Sequence, residues 1–313
     1  MNVVQIKDLV KRYKELVAVD HLTLDIEEGE VFGLLGPNGS GKTTLVQCVL
    51  QLLSYDHGTI EIFGQPMNGN CFEIKQKIGF VPQDVAVYDE LSVEENIDYF
   101  CGLYIEDRKQ RKENVQWAMD FVQLGDFRKF RPKKLSGGLL RRLNLACGIS
   151  HKPNLIFLDE PTVAVDPQSR NKILEGIKDL NRQGATIVYT SHYMEEVEFL
   201  CDRLAILDKG KLLVHGQSEE IINMSSIGES ISMTIFKLNP AVLEELNHRP
   251  GVISTNYENM KLTIKMEKES GGLLSILHFM EEKGLEPVNI LGEKPTLNDV
   301  FLEITGKELR DHA

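Results

Sequence analysis

Two apolar periods alternate along this chain, and the places where one gives way to the other mark its elements. Val3 to Leu9 and Leu22 to Ile26 alternate or cluster apolar residues as strands do, on either side of the polar Lys11-Arg12-Tyr13-Lys14-Glu15. The chain therefore opens with an antiparallel β layer. Glu30 to Leu35 is short, mostly apolar and reads as a buried strand; past a glycine-rich gap, Leu45, Val49 and Leu52 fall on one helical face. Gly58 to Gly64 and Ile78 to Gln83 are further short strands. From Ser92 the period becomes helical. Ser92 and Glu95 form a capping box, Ile97, Phe100, Cys101 and Tyr104 share a face, and a second helix buries Val115, Ala118, Met119 and Val122 before Gly125 stops it. A third runs from Ser136 through Leu140, Leu143, Ala146 and Cys147. These helices make an all-helical insertion, about residues 84–150, between two halves of an α/β domain.

Strand character returns at Leu155 to Leu158. Asp166-Pro167 then opens a helix lined by Ile173, Ile177 and Leu180 and stopped by Gly184; Thr186 to Tyr189 is the next buried strand. A hairpin of Arg203 to Leu207 and Lys211 to Val214 closes the domain near Gln217. Residues 218–313 read as a small α+β domain: strands at Ile231 to Leu238, Val252 to Asn256, Lys261 to Met266 and Pro287 to Leu291. Helices start at Asn239-Pro240 and Leu273, and a last one, capped by Thr296 with Asp299, ends at Gly306.

With 313 residues the chain is long enough for one large domain and a smaller one. Its net charge of −12 argues against broad contact with nucleic acid or anionic lipid. No apolar run approaches the ~18 to 20 residues that cross a bilayer, and the N-terminus lacks the apolar core of a signal peptide, so a cytoplasmic protein is expected. Five scattered cysteines without a C-x-x-C pair suggest neither zinc nor a disulfide framework.

The chemistry is concentrated where strands end. Gly36, Pro37, Asn38, Gly39, Ser40, Gly41, Lys42 and Thr43, running on into Thr44, fit the phosphate-cradling loop G-x-x-x-x-G-K-[ST] in its required context of strand, loop and helix. Glycines let backbone N–H groups close on a phosphate, and the helix start adds its positive end. Lys42 would bind the β/γ phosphates of a nucleotide and Thr43 would ligate Mg²⁺. Leu155-Ile156-Phe157-Leu158-Asp159-Glu160 is a buried strand ending in two carboxylates: Asp159 would hold Mg²⁺ or its water, and Glu160, pointing the other way by strand alternation, could polarise an attacking water. His192, at the edge of the next strand, could contact a γ-phosphate or the reacting water, or be a hydrogen-bonded structural histidine. Tyr13 could stack on adenine or be an ordinary surface tyrosine. Gln83 could ligate the metal, orient a water, or simply be solvated. Ser136, Gly137 and Gly138 offer a hydroxyl and free N–H groups suited to a second anion, as an ordinary capped turn also would.

Taken in order, GPNGSGKT, LSGG, LIFLDEP and the TSH at His192 resemble the nucleotide-binding subunit of an ATP-binding cassette (ABC) transporter over about Val3 to Gly216. The resemblance implies a P-loop NTPase: a RecA-like α/β core, an antiparallel β subdomain and a helical subdomain carrying the signature. It implies Tyr13 on adenine, Gln83 linking Mg²⁺ to the transporter contact, Glu160 as catalytic base, His192 as switch histidine, and Ser136 closing over ATP held by a second copy. The partners so implied are an integral membrane permease and a second ATPase, in a homodimer or paralogous heterodimer at the cytoplasmic face of the membrane, with no nucleic acid. Two positions depart from the family pattern: Leu139 replaces the usual Gln after the signature glycines, and Ala164 replaces a usual glycine. Pro295 to Leu302 resembles the tail of drug- and antibiotic-exporter ATPases of the ABC-2 type, which favours export. A soluble cassette ATPase of translation or DNA repair is the alternative; those relatives generally carry two cassettes or a coiled-coil insertion. A regulator without turnover would be expected to lack Lys42 or Glu160, and both are present.

Overall fold

A computed structural model describes residues 1–68 and 71–306. The chain divides after Gln217 into two compact units. In the first, β1 (Asn2–Tyr13) and β2 (Leu16–Glu27) form a long antiparallel hairpin that outruns the apolar stretches, because Lys11 to Glu15 occupy the strand end and its tight turn. β3 (Val31–Leu35) leads through the glycine loop into α1 (Lys42–Val49). Leu52 lies past that helix and is exposed, since the chain turns at Gln51 with a left-handed φ of 54°. β4 (His57–Ile62) and β5 (Gln65–Pro66) complete an antiparallel sheet of order β2-β1-β4-β5.

The short α2 (Phe72–Lys75) precedes β6 (Ile78–Val81), and three helices follow: α3 (Val93–Gly102), α4 (Arg108–Phe121) and α5 (Gly137–Ile149). Ser92 and Glu95 do form the capping box, but Tyr104 lies past the end of α3 and stacks on His151, ring centroids 4.0 Å apart. The left-handed residue after α4 is Gln123 (φ 55°), two positions before Gly125. Then come β7 (Leu155–Asp159), α6 (Pro167–Arg182), β8 (Thr186–Ser191), α7 (Met194–Leu200), β9 (Arg203–Asp208) and β10 (Lys211–Gln217).

Six strands form the second sheet, ordered β10-β9-β3-β8-β7-β6; all run parallel except β10. Being covered on both faces, its inner strands are apolar throughout rather than alternating. Phe32 and Leu34 face a core shared with α1 and the antiparallel layer, including Val4, Ile6, Leu24, Leu45 and Phe157. On the opposite face α7 comes so close that a Cβ at Gly33 would lie 2.9 Å from Val197 and Cys201. All five cysteines are free and buried. Among the described residues no helix is long and apolar enough to cross a membrane.

The second unit holds α8 (Ser218–Ile222), β11 (Ile227–Thr234), α9 (Pro240–Asn247), β12 (Val252–Glu258), β13 (Lys261–Glu267), α10 (Gly272–Glu282), β14 (Val288–Glu293) and α11 (Leu297–Thr305). Its antiparallel sheet has the order β12-β13-β11-β14, and Ile231, Met233, Leu262, Ile264 and Met266 pack with Leu246 of α9 and Ile276, Phe279 and Met280 of α10. β11 begins four residues before the Ile231 expected from the pattern and ends at Thr234. The Thr296–Asp299 capping box opens α11, and Asp299 also pairs with Lys265 at 2.7 Å. Neither α7 nor α8 is foreseen in the pattern, being only seven and five residues long, too short for a helical period to declare itself.

Candidate active site

Parallel pairing brings the chemistry to one edge. Leu35 of β3 pairs with Ser191 of β8, Asp159 of β7 with Thr190, and Val81 of β6 with Leu158. The phosphate loop, both carboxylates, Gln83 and His192 therefore all leave the carboxyl ends of four adjacent strands, where open α/β sheets bind ligands.

The loop is fixed by backbone as much as by side chains. Gly41 has φ 107°, and a Cβ there would run into the Ala18 carbonyl of β2. Gly210, in the β9–β10 turn, donates its N–H to Ser40 O (2.9 Å) and accepts from Asp20 N (2.9 Å). These bonds tie the β1–β2 hairpin to the loop. Tyr13, at the end of that hairpin, has a partly exposed ring with the Lys11 ammonium 5.1 Å from its centroid. No Cβ contact crowds Gly39, and the buried Ser40 hydroxyl has no partner. A bare, glycine-lined cradle with an orphaned hydroxyl fits a phosphate that would satisfy it.

Lys42 folds back over the loop, donating to Gly36 O (2.7 Å) and Pro37 O (3.3 Å), and its ammonium lies 3.3 Å from Glu160 Oε1. Glu160 Oε2 accepts from Gln83 Nε2 and faces His192 Nδ1, each at 3.4 Å. Three sequence candidates thus converge on one carboxylate. Burial pushes the Glu160 carboxyl up, but His192 and Lys42 together outweigh it, and the group lies below its ordinary value. Burial lowers the Lys42 ammonium, against the pull of Glu160.

Asp159 belongs to a second set. Its Oδ1 accepts from Thr190 Oγ1 (2.6 Å) and Thr43 Oγ1 (3.2 Å), while burial raises its carboxyl against those bonds. The strand ends at Asp159, so alternation does not place Glu160. Instead Glu160 takes a left-handed φ of 46°, held by its N–H donating to Thr190 Oγ1 (2.9 Å). Such a conformation is disfavoured for a residue with a Cβ and is kept where the surroundings determine it. Of the three expected metal ligands, Thr43 and Asp159 are together and Gln83 lies against Glu160. The pair brought together, the Thr43 hydroxyl and the Asp159 carboxylate, suits Mg²⁺, which keeps waters and shares substrate phosphates.

Ser136 caps α5, its hydroxyl accepting from Leu139 N at 3.3 Å, and it takes no part in the Glu160 or Asp159 clusters. A Cβ at Gly137 would make only an ordinary contact, 3.9 Å from Ala164 O, whereas one at Gly138 would lie 2.5 Å from Ser169 Oγ at the start of α6. Ala164 adopts φ 58°, a region its usual glycine would enter freely. Sequence reasoning missed the groups holding the Gln83 segment: Arg141 donates to Gln83 O, and Asn144 bonds Pro82 O and Ala86 N at 3.1 Å each. Both face inward one and two turns after the signature, and a polar residue on the apolar face of α5 was the available signal.

Residues 19–163 match the family model described as ABC transporter. The chain is 35% identical to the linearmycin resistance ATP-binding protein LnrL of Bacillus subtilis, covering 98% of this chain and 99% of that relative. It is 34% identical to a Nod factor export ATP-binding protein I of Cupriavidus metallidurans, covering 99% of each. With the daunorubicin resistance ATP-binding protein DrrA3 of Streptomyces coeruleorubidus the identity is 31%, over 96% and 95%. Among solved structures, a dimeric ATP-binding cassette in a post-hydrolysis state with ADP and Pi aligns with a TM-score of 0.63 and 27% identity, covering 68% of this chain and 98% of that one.

Proposed function

Because the chain belongs to the ABC transporter family as an ATP-binding, ATP-hydrolysing subunit, we propose that Glu160 is its catalytic base. The supporting observation is the convergence of Lys42, Gln83 and His192 on the Glu160 carboxylate. Loop N–H groups and Lys42 hold the phosphates, Tyr13 presents its ring to adenine, Glu160 takes the proton of the attacking water, and His192 orients that water or the γ-phosphate. Mg²⁺, when bound by Thr43, Asp159 and Gln83, supplies charge neutralisation of the phosphates. Ser136, Gly137 and Gly138 serve the nucleotide of a second copy: Ser136 and Gly137 are exposed and accessible to a partner, and solved cassettes of this fold form dimers.

The unit after Gln217 is an accessory domain, regulatory or dimer-stabilising. We assign the chain to an exporter that drives a separate membrane permease from the cytoplasmic face. This rests on end-to-end similarity to subunits named for antibiotic resistance and Nod factor export. Finding a six-helix membrane protein encoded in the adjacent reading frame would support that assignment; a ribosomal or repair context there would overturn it.

The test of the base is Glu160→Gln in the full chain. ATP titration should give near-normal affinity while turnover falls roughly 10² to 10⁴-fold. Near-normal hydrolysis moves the base elsewhere, with His192 next in line.

A further inference from the structure

Glu196 on α7 is almost fully buried and has no part in the chemistry above. Its two oxygens are saturated. Oε1 accepts from Thr162 Oγ1 (2.7 Å) and pairs with Arg170 Nε (2.6 Å); Oε2 accepts from Tyr189 OH (2.6 Å) and Ser191 Oγ (2.7 Å). Four donors, one of them a guanidinium, meet the desolvation cost that a buried carboxylate otherwise carries.

The donors are placed where they matter. Thr162 is two residues past Glu160, between the left-handed Glu160 and Ala164. Ser191 immediately precedes His192, and its hydroxyl also accepts from Tyr193 N at 2.9 Å, so both neighbours of His192 are fixed. Tyr189 OH lies 3.2 Å from Thr162 Oγ1, closing the ring of contacts. Arg170 brings in α6, whose N-cap is Asp166. Within the 160–166 turn the local bonds, Val163 N to Glu160 O and Val165 N to Thr162 O, are long at 3.3 Å each. A turn with two disfavoured backbone conformations and weak internal bonds needs an outside anchor.

We propose that Glu196 is a positioning residue that sets Glu160 and His192 relative to one another, through Thr162 on one side and Ser191 on the other. The proposal rests on the catalytic reading of Glu160 and His192. It acts on geometry alone; no proton passes through Glu196.

The experiment compares Thr162→Val, Thr162→Ser, Glu196→Gln and Glu160→Gln in the full chain. Thr162→Val keeps shape and removes the hydroxyl, with both its bond to Glu196 and its contact with Tyr189. Glu196→Gln keeps an acceptor for Thr162 and Arg170 but turns an amide NH₂ toward Tyr189 and Ser191. Both should lower kcat roughly 10 to 10²-fold, the cost of misplacing a reacting group by a fraction of an ångström to an ångström. The ATP Kd should stay within about threefold of wild type, and Thr162→Ser should restore kcat. Without nucleotide, hydrogen exchange at Val163 and Val165 should quicken about tenfold in Thr162→Val, with the rest of the chain unchanged. If Thr162→Val keeps kcat within about twofold of wild type while Glu160→Gln is inactive, the proposal is overturned. Should Glu196→Gln fail to fold, Thr162→Val still decides. Full turnover by Glu160→Gln would instead overturn the catalytic reading underneath.

Discussion

Replacing Lys42 by Met removes one charge and leaves a side chain of similar length, so it isolates what the ammonium does before any nucleotide binds. In the folded chain Lys42 and Glu160 are each about 95% buried and 3.3 Å apart. Loss of the ammonium leaves the carboxylate with Gln83 and His192 at 3.4 Å and strips a donor from Gly36 O and Pro37 O. Removing one partner of a buried pair costs about 3 to 5 kcal/mol, against a total stability of roughly 5 to 15. For a unit of this size that is a fall in Tm of roughly 6 to 20 °C. The pH dependence identifies the cause. In wild type the Glu160 carboxyl lies below its ordinary 4.5, so its ionised form stabilises the fold above that pH, and the stabilisation is lost as pH falls through the folded value. In Lys42→Met the pull of the ammonium is gone and the folded value moves up, so the ionised carboxylate stabilises the fold less than in wild type above that range. The stability gap between the two proteins should therefore be widest near neutral pH and shrink on acidification below about 4.5. Urea unfolding of both proteins at several pH values, without nucleotide and in chelator, measures it; groups that do not face Lys42 cancel in the difference, and Asp159, which the ammonium also pulls down, moves in the same sense as Glu160. A gap under about 1 kcal/mol at neutral pH, or one that does not shrink in acid, would refute the assigned pairing.

Other outcomes follow from the same contacts. Mixing a chain bearing Lys42→Ala with one bearing Ser136→Arg should partly restore hydrolysis, because a signature acting in trans collects both lesions in one composite site; no recovery with heterodimer confirmed counts against the trans assignment. A chain ending at Gln217 should still bind ATP in a nucleotide titration, since the loop and its supports lie before that point; a folded truncate that cannot bind refutes the accessory role of the remainder. In the second unit, burial raises the Asp299 carboxyl, but Lys265 and the Thr296 bonds outweigh it and leave the group lowered. Asp299→Asn should therefore destabilise the chain by about 1 to 3 kcal/mol at neutral pH, and the difference should fade as pH drops through the folded value below 3.8.

Local patterns carried much of this architecture. The glycine loop, the capping boxes at Ser92 and Thr296 and the Asp166-Pro167 helix start each depend on residues within a few positions, so sequence exposes them. That Lys42, Glu160 and His192 meet was legible only through the order of motifs and the strand-end logic, because they lie far apart in the chain. The backbone of Glu160 was not legible: extended alternation was the natural expectation, and the left-handed turn follows from Thr190, thirty residues on. Glu196, Arg141 and Asn144 escaped for the same reason. A charged or amide residue inside a short or amphipathic helix declares nothing until its partners from distant strands are known.

The buried cysteines have a practical corollary for spectroscopy. Burial pushes the Cys48 thiol up to about 11 and raises those of Cys101, Cys147 and Cys201, so few thiolates are present near neutral pH and none lies at the surface. The native chain is thus nearly silent toward thiol-directed reagents under folding conditions. A single cysteine introduced at an exposed position takes a spin label or fluorophore selectively, and the distance between two copies can be followed through a turnover cycle without first rebuilding the interior.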